Sequence, residues 1–262
     1  MLILDDTDGP TAIAALGGQA IVFSVRGPDK ALNEDAAAVL AYDGGGMLVV
    51  ADGMGGQAAG QLASRLALET LAEHLVEGAA RGQALRHAVI DGIEAANRAV
   101  LALGVGAGTT LAALLLQEGR ARAIHVGDSV AMHVGQRGRI KTLTVSHSPT
   151  GYAVEAGLLG QEDALQHAER HVVSNHVGME GMRIEVGSAI VIARHDTLLL
   201  ASDGLVDNLT PEEIVEIVRK GPLARAAQKL SALARHRMAD DRSTRPSKPD
   251  DLTYVLYRRA SE

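Results

Sequence analysis

The order of patterned segments is the feature that most restricts how this 262-residue chain can fold. Two alternating or apolar runs, 19–25 and 36–42, precede a third, 47–51, which stops at the acidic glycine turn Asp52-Gly53-Met54-Gly55-Gly56. Runs of this length bounded by turn residues read as short strands. Over 57–77, Leu62, Leu66, Leu71 and Leu75 recur at close to helical spacing, and over 85–100 Leu85, Val89, Ile93, Ala96 and Val100 share one helical face. Three more strand-like segments, 109–116, 121–126 and 130–134, predict an antiparallel meander. Residues 144–187 lack periodicity and are rich in His, Gly and Ser, as expected of a long functional excursion. An apolar strand at 197–201 then runs into Ser202-Asp203-Gly204. Thr210-Pro211-Glu212-Glu213 reads as a helix start, with a threonine cap, proline in the first turn and carboxylates at the positive end of the dipole. A helix at 223–238, a polar loop at 239–248 and a strand at 252–257 complete the series. Strands, a helix pair, strands, helices and a last strand predict one mixed α+β domain over 1–262.

Composition narrows the function classes. With 47% hydrophobic and 22% charged residues the chain can bury a sizeable core, and its single Phe, four Tyr and absent Trp leave that core to Leu, Val, Ile and Ala. A net charge of −7 argues against a nucleic-acid binder, which needs a basic footprint. No apolar run approaches a membrane span, and the first residues, Met-Leu-Ile-Leu-Asp-Asp, do not read as an export signal. Together with the absence of cysteine, this predicts a cytoplasmic protein and excludes thiolate metal sites and cysteine nucleophiles.

Three aspartates stand where an apolar run meets a turn: Asp52 after Leu48-Val49-Val50-Ala51, Asp203 after Leu198-Leu199-Leu200-Ala201-Ser202, and Asp250 before Leu252-Thr253-Tyr254-Val255. Carboxylates delivered by strand ends from distant parts of a chain can converge on hard cations. Glycine after Asp52 and after Asp203 lets backbone come close to such an ion. Taken singly, each Asp-Gly is an ordinary turn, and Asp250-Asp251 an ordinary solvated loop.

In order along the chain, Asn33-Glu34-Asp35, Asp52-Gly53-Met54-Gly55-Gly56, Gly108-Thr109-Thr110, Gly127-Asp128-Ser129, Asp203-Gly204-Leu205-Val206-Asp207 and Asp250-Asp251-Leu252-Thr253 resemble the motif series of the metal-dependent (type 2C) protein phosphatases, in a bacterial-like form. The resemblance implies a four-layer αββα sandwich, with two central antiparallel β-sheets flanked by helices, and the metals at one end of it. It implies two Mn2+ or Mg2+ ions bridged by Asp52, with the Gly53 carbonyl on one ion and Asp203 and Asp250 on the other. Glu34 would act through water, and Asp128 and Asp207 would help hold a weaker third ion. The implied activity is hydrolysis of phosphoserine and phosphothreonine in proteins by a metal-activated water without a covalent intermediate. The implied partner is a phosphorylated protein, a target of a serine/threonine kinase.

The chain also departs from that pattern. Lys30 stands where the family has its phosphate-binding arginine, and lysine offers a point charge in place of a bidentate fork, with Arg26 close by as a substitute. Met54 leaves the general acid unassigned. Ser146-His147-Ser148 replaces the usual Asp-His-Ser, Val130 replaces a common arginine, and the 144–187 segment resembles the family's flap. The histidines, among them His125, His133, His147 and His176, show no zinc spacing and read as surface or packing residues. The basic stretch 235–248 reads as a solvated loop. Two other readings stand beside the phosphatase. One is a haloacid-dehalogenase-type site at Asp6 and Asp8, with Pro10 where Thr or Val is needed. The other is a catalytically silent relative that binds phosphoproteins.

Overall fold

The computed structural model describes residues 2–7, 9–42, 44–165, 167–240 and 247–260. In chain order the elements are β1 (Leu2–Leu4), β2 (Thr11–Ala15), β3 (Gly18–Val25), β4 (Asp35–Tyr42), β5 (Gly45–Met54), α1 (Gln57–Ala80), α2 (Leu85–Leu101), β6 (Gly108–Thr109), β7 (Leu111–Gln117), β8 (Arg120–Val126), β9 (Val130–Val134) and β10 (Ile140–Leu143). They continue with α3 (Pro149–Glu155), α4 (Gln161–Ala164), β11 (Glu185–Val186), β12 (Ile190–Val191), β13 (Thr197–Ala201), α5 (Asp203–Val206), α6 (Pro211–Val218), α7 (Leu223–Met238) and β14 (Leu252–Arg259).

One sheet runs β1-β4-β5-β7-β8-β11, with β6 added to β5 and β12 to β8; the other runs β10-β9-β13-β14-β3-β2. Every pairing is antiparallel. Successive residues of a strand face opposite sides, so a strand that is apolar throughout can serve two cores. In β4 and β5, Ala36, Ala38, Leu40, Met47, Val49 and Ala51 face α1 and α2. Their alternates Ala37, Val39, Leu48 and Val50 meet Ala20, Val22, Leu198, Leu200 and Val255 of the second sheet. That sheet turns Ile21, Phe23, Leu199 and Leu256 towards Ile214, Val218, Leu223 and Leu230 of α6 and α7. Helices, two antiparallel sheets and helices are thus stacked as the expected αββα sandwich, and each fully buried Leu or Val contributes about 2 kcal/mol.

Two expectations need correction. The meander holds only for β7 and β8, because Gly127-Asp128-Ser129 carries the chain across to the other sheet, where β9 pairs with β13 and β10. The break in apolarity at this turn marks a change of layer, which periodicity does not distinguish from a hairpin. In α1 the helix forms as expected, but Leu62 is 49% exposed. The face against the sheet is instead Gly60, Ala63, Ser64, Ala67, Leu68, Leu71, Ala72 and Leu75. Small residues win there because β5 and α1 approach closely: a Cβ on Gly53 would lie 2.1 Å from the Gly60 carbonyl oxygen. The N-terminal run, read as unlike an export signal and weighed as a haloacid-dehalogenase-type site, forms β1 at the edge of the first sheet. Asp6 is exposed there, Asp5 pairs with Arg65 across 3.2 Å, and Asp8 lies outside the described residues.

The 144–187 segment contains α3, α4 and β11, with irregular backbone between them. No helix among the described residues is long and apolar enough to cross a membrane.

Candidate active site

Asp52 is fixed by its backbone before its side chain can act. It lies in β5 directly opposite Asp35 of β4. Its N–H donates to Thr110 Oγ1 at 3.0 Å, and its carbonyl accepts from Thr110 N–H at 2.8 Å and Thr109 Oγ1 at 2.9 Å. Thr110 Oγ1 in turn meets Ser129 Oγ at 2.6 Å, beside Asp128. The Gly-Thr-Thr and Gly-Asp-Ser motifs therefore act as one clamp on the acidic strand end.

From the second sheet, Ser202 at the end of β13 donates to Asp35 Oδ2 at 2.7 Å and accepts the Thr253 N–H at 3.2 Å. This places Asp203, at the start of α5, beside the strand that follows Asp250. A Cβ on Gly204 would fall 1.8 Å from the Asp251 carbonyl oxygen, so only glycine allows α5 to sit this close to β14. Asp251 accepts Gly27 N–H at 2.7 Å through Oδ1 and Glu34 N–H at 2.8 Å through Oδ2.

Two ammonium groups sit among these acids. Lys30 Nζ lies 3.0 Å from Glu34, 2.6 Å from Asp250 and 3.0 Å from Asp251. Lys248 Nζ pairs with Asp203, lies 3.1 Å from Asp250 and 3.4 Å from Asp207. Of the residues singled out in the sequence, the structure brings together Glu34, Lys30, Asp52 with Gly53, Asp128, Asp203, Asp207 and Asp250. Arg26 is not among them: it is exposed, and its guanidinium donates to the Lys30 carbonyl at 3.2 Å and the Ala31 carbonyl at 3.4 Å. Asp35 was quoted within a motif without a role, Asp251 was read as solvated, and Lys248 was placed in a solvated loop; all three belong to the cluster. The signal for Asp251 was its doublet with Asp250, and for Lys248 its place two residues before that doublet, in Lys248-Pro249-Asp250-Asp251.

Negative charge is in excess. Burial, and then the charges of Asp35, Asp203, Asp128 and Asp250, hold Asp52 well above the ordinary carboxylate range. Burial and the charge of Asp251 do the same to Asp35. Asp128 and Asp207 are each pushed up to about 7 by burial and the nearby Asp203, with Lys248 opposing. Asp250 is held low: burial works against its charge, but Lys248 and Lys30 outweigh it. Asp207 Oδ2 is buried, with the Lys248 ammonium 3.4 Å away. A set of crowded carboxylates suits hard divalent cations such as Mg2+ or Mn2+ and offers no soft ligand.

A cavity of about 640 Å³ opens beside the cluster. Asp128, Asp203 and Asp207 form one wall, and Val154, Leu165 and Arg170 of the flap-like segment face them. His147 anchors that segment. Its Nδ1 accepts the Gly127 N–H at 3.1 Å, its ring stacks on His125 at 4.4 Å, and Nε2 faces Glu185 at 3.2 Å. His125, His147 and Glu185 could gather around an ion, since one ligand atom of each lies within 4.8 Å of the others. The Gly127 N–H bond to His147 also ties this group to the turn carrying Asp128. Neither histidine is a surface residue, and both are buried.

A family model described as protein phosphatase 2C matches residues 28–240. The chain is 32% identical over 241 residues to the serine/threonine protein phosphatase PstP of Mycobacterium tuberculosis, a match that covers 89% of this chain and 43% of that protein. The chain thus spans less than half the length of that curated relative. Among solved structures, the S. agalactiae serine/threonine phosphatase superposes with a TM-score of 0.78 at 26% identity, covering 93% of this chain and 100% of that one. The catalytic domain of PstP in complex with two manganese ions gives 0.72 at 28% identity, covering 93% and 99%.

Proposed function

This chain belongs to the protein phosphatase 2C family, and from that membership and the acidic cluster we propose that it hydrolyses phosphoserine and phosphothreonine in proteins with the help of two Mn2+ or Mg2+ ions. The observation that carries the reading is the convergence of Asp52, Asp128, Asp203, Asp207 and Asp250, contributed by both sheets, with more negative charge than their two lysines neutralise.

In this reading Asp52, the Gly53 carbonyl, Asp203 and Asp250 would hold the two ions, and Glu34 would orient water. Bound divalent ions acidify water and offset the negative charge by which a phosphomonoester repels it. The chain's own contribution is rigidity: Thr109 and Thr110 fix the Asp52 backbone, and Ser202 fixes Asp35 against the strand that brings in Asp250. Lys30, which pairs with Glu34, Asp250 and Asp251, would in this reading offer one charge to a phosphate. The absence of cysteine excludes a phosphocysteine intermediate, and in this reading water takes the phosphoryl group directly, as in the family mechanism. The cavity under the flap-like segment admits the polypeptide around the phosphorylated residue, a target of a serine/threonine kinase.

The test is release of p-nitrophenol from p-nitrophenyl phosphate, and of phosphate from a phosphothreonine peptide, with Mn2+, with EDTA, and by Asp203→Asn with Mn2+. Turnover only in the first case is expected. Equal turnover in all three would end the metal mechanism, and none in any would leave a silent phosphoprotein-binding module as the better reading.

A further inference from the structure

The 640 Å³ cavity beside the acidic cluster has walls of two kinds. Its floor is apolar: Val130 and Met132 of β9, Leu143 of β10 and Ile214 of α6 line it, all part of or packed against the core between the second sheet and its helices. Val154 of α3 and Leu165, just after α4, face that floor from the flap-like segment. A space of this size is in the range that takes a ligand group.

The charged lining falls into two sets. Asp128, Asp203 and Asp207 belong to the cluster already described, where Lys248 pairs with the last two. Glu155 at the end of α3, Asp163 of α4 and Glu212 in the first turn of α6 are different. All three are exposed, and none makes an ion pair or a side-chain hydrogen bond among the described residues. Three separate elements thus bring unpaired acids to one cavity. Arg170, the one basic residue in the lining, is engaged elsewhere, since its guanidinium donates to the Leu165 carbonyl at 2.5 Å and the Ser247 carbonyl at 3.4 Å. The start of α6 does not reverse the sign, because Thr210 and Glu213 close its capping box and Glu212 adds its own charge there.

A short cation would leave the floor uncovered, and an apolar side chain would leave the acids unmatched. Lysine and arginine meet both walls, with an aliphatic stem for the floor and a charged head that stays with the acids and water. Building on the phosphatase reading above, we propose that this cavity is a subsite for a lysine or arginine of the phosphorylated protein, close in sequence to the phosphorylated residue, and that Glu155, Asp163 and Glu212 select it. Asp203, which in that reading holds an ion, walls the cavity, so one short segment reaches both the ions and the subsite. Four extended residues span about 14 Å, which sets the stretch of substrate to search.

The test uses phosphothreonine peptides, otherwise of alanine, with one lysine placed in turn at each position from four before to four after the phosphorylated residue. The best position is then refilled with norleucine, which keeps the stem without the charge, and with diaminopropionate, which keeps the charge on a short stem. Lysine is expected to exceed both in kcat/KM by about tenfold, and the advantage should shrink as NaCl is added. In the triple variant Glu155→Gln, Asp163→Asn, Glu212→Gln the lysine-to-norleucine ratio should fall to near unity. The ratio is read on the same folded enzyme, so loss of protein does not imitate the effect. Glu212→Lys, a single change at an exposed position, is the second variant and should lower the same ratio. The proposal is overturned if no position favours lysine over norleucine, if diaminopropionate serves as well as lysine, or if neither variant moves the ratio. Turnover of p-nitrophenyl phosphate, which has no side chain to place in the cavity, reports on the phosphatase reading separately. If wild type turns over neither it nor any peptide, that reading fails. The same peptide ratios, read as Kd by fluorescence anisotropy with Mn2+, then decide the subsite alone.

Discussion

Two buried clusters of charge, one at each end of the sandwich, use similar residues to opposite effect. Beyond the end of β13 where Asp203 lies, the strand leads to the acidic site; before its start stands Asp196. That single carboxylate accepts from His133 Nε2 at 2.7 Å, from Ala193 N–H at 2.8 Å and from Lys141 Nζ. Burial works against its charge, yet its donors hold it below the ordinary carboxylate range. At the other end, acids outnumber donors and Asp52, Asp35, Asp128, Asp203 and Asp207 are all raised. At one end the carboxylate is matched by its donors, although His133 Nδ1 is buried without a partner among the described residues; the other end is left short of positive charge and is fit to bind it.

The comparison can be broken at Asp196 first. Asp196→Ala leaves His133 and Lys141 without their acceptor and should cost about 1–3 kcal/mol, read as a lowered denaturation midpoint in urea. Because the folded carboxylate titrates below its unfolded value of about 3.9, its contribution is present above that pH and is lost as pH falls through the folded value. The midpoint difference between wild type and Asp196→Asn should therefore shrink below about pH 4; a constant difference would show that the charge is not what stabilises this end.

The opposite sign is expected at the crowded end. Asp52 is held high, so ionising it above its unfolded pKa opposes folding, and Asp52→Asn in EDTA at pH 7 should raise stability by about 1–2 kcal/mol while abolishing turnover with Mn2+. A destabilised Asp52→Asn would mean that the cluster is satisfied without cations. The smallest effect is expected of Lys141→Met. Its ammonium is partly exposed, so solvent screens the pair and the loss should stay at or below about 1 kcal/mol by the same urea measurement.

Much of this was legible in the sequence, and the limit has a physical cause. Strand ends that stop at Asp52 and Asp203 could be read because an apolar run and an acidic glycine turn are both local signals. The α6 start was equally plain: Thr210 and Glu213 form the reciprocal capping box that the Thr-Pro-Glu-Glu run suggested. What could not be read depends on which layer a segment joins. The crossing of β9 to the second sheet, the outward turn of Leu62 and the inward placing of Lys248 are all decided by partners far away in the chain. Lys248 in particular sits in a polar stretch, and its backbone is held beside the acids by the buried amide of Asn208, 40 residues earlier.

The placement of β14 has a consequence for synthesis. It is hydrogen-bonded between β13 and β3, in register with Gly18–Val25 along its whole length. Until the ribosome has delivered residues 252–259, two interior strands have bare edges and Asp250 has no seat beside Asp203. A chain lacking residues 252–259 would leave the edges of β13 and β3 unpaired and would be prone to self-association.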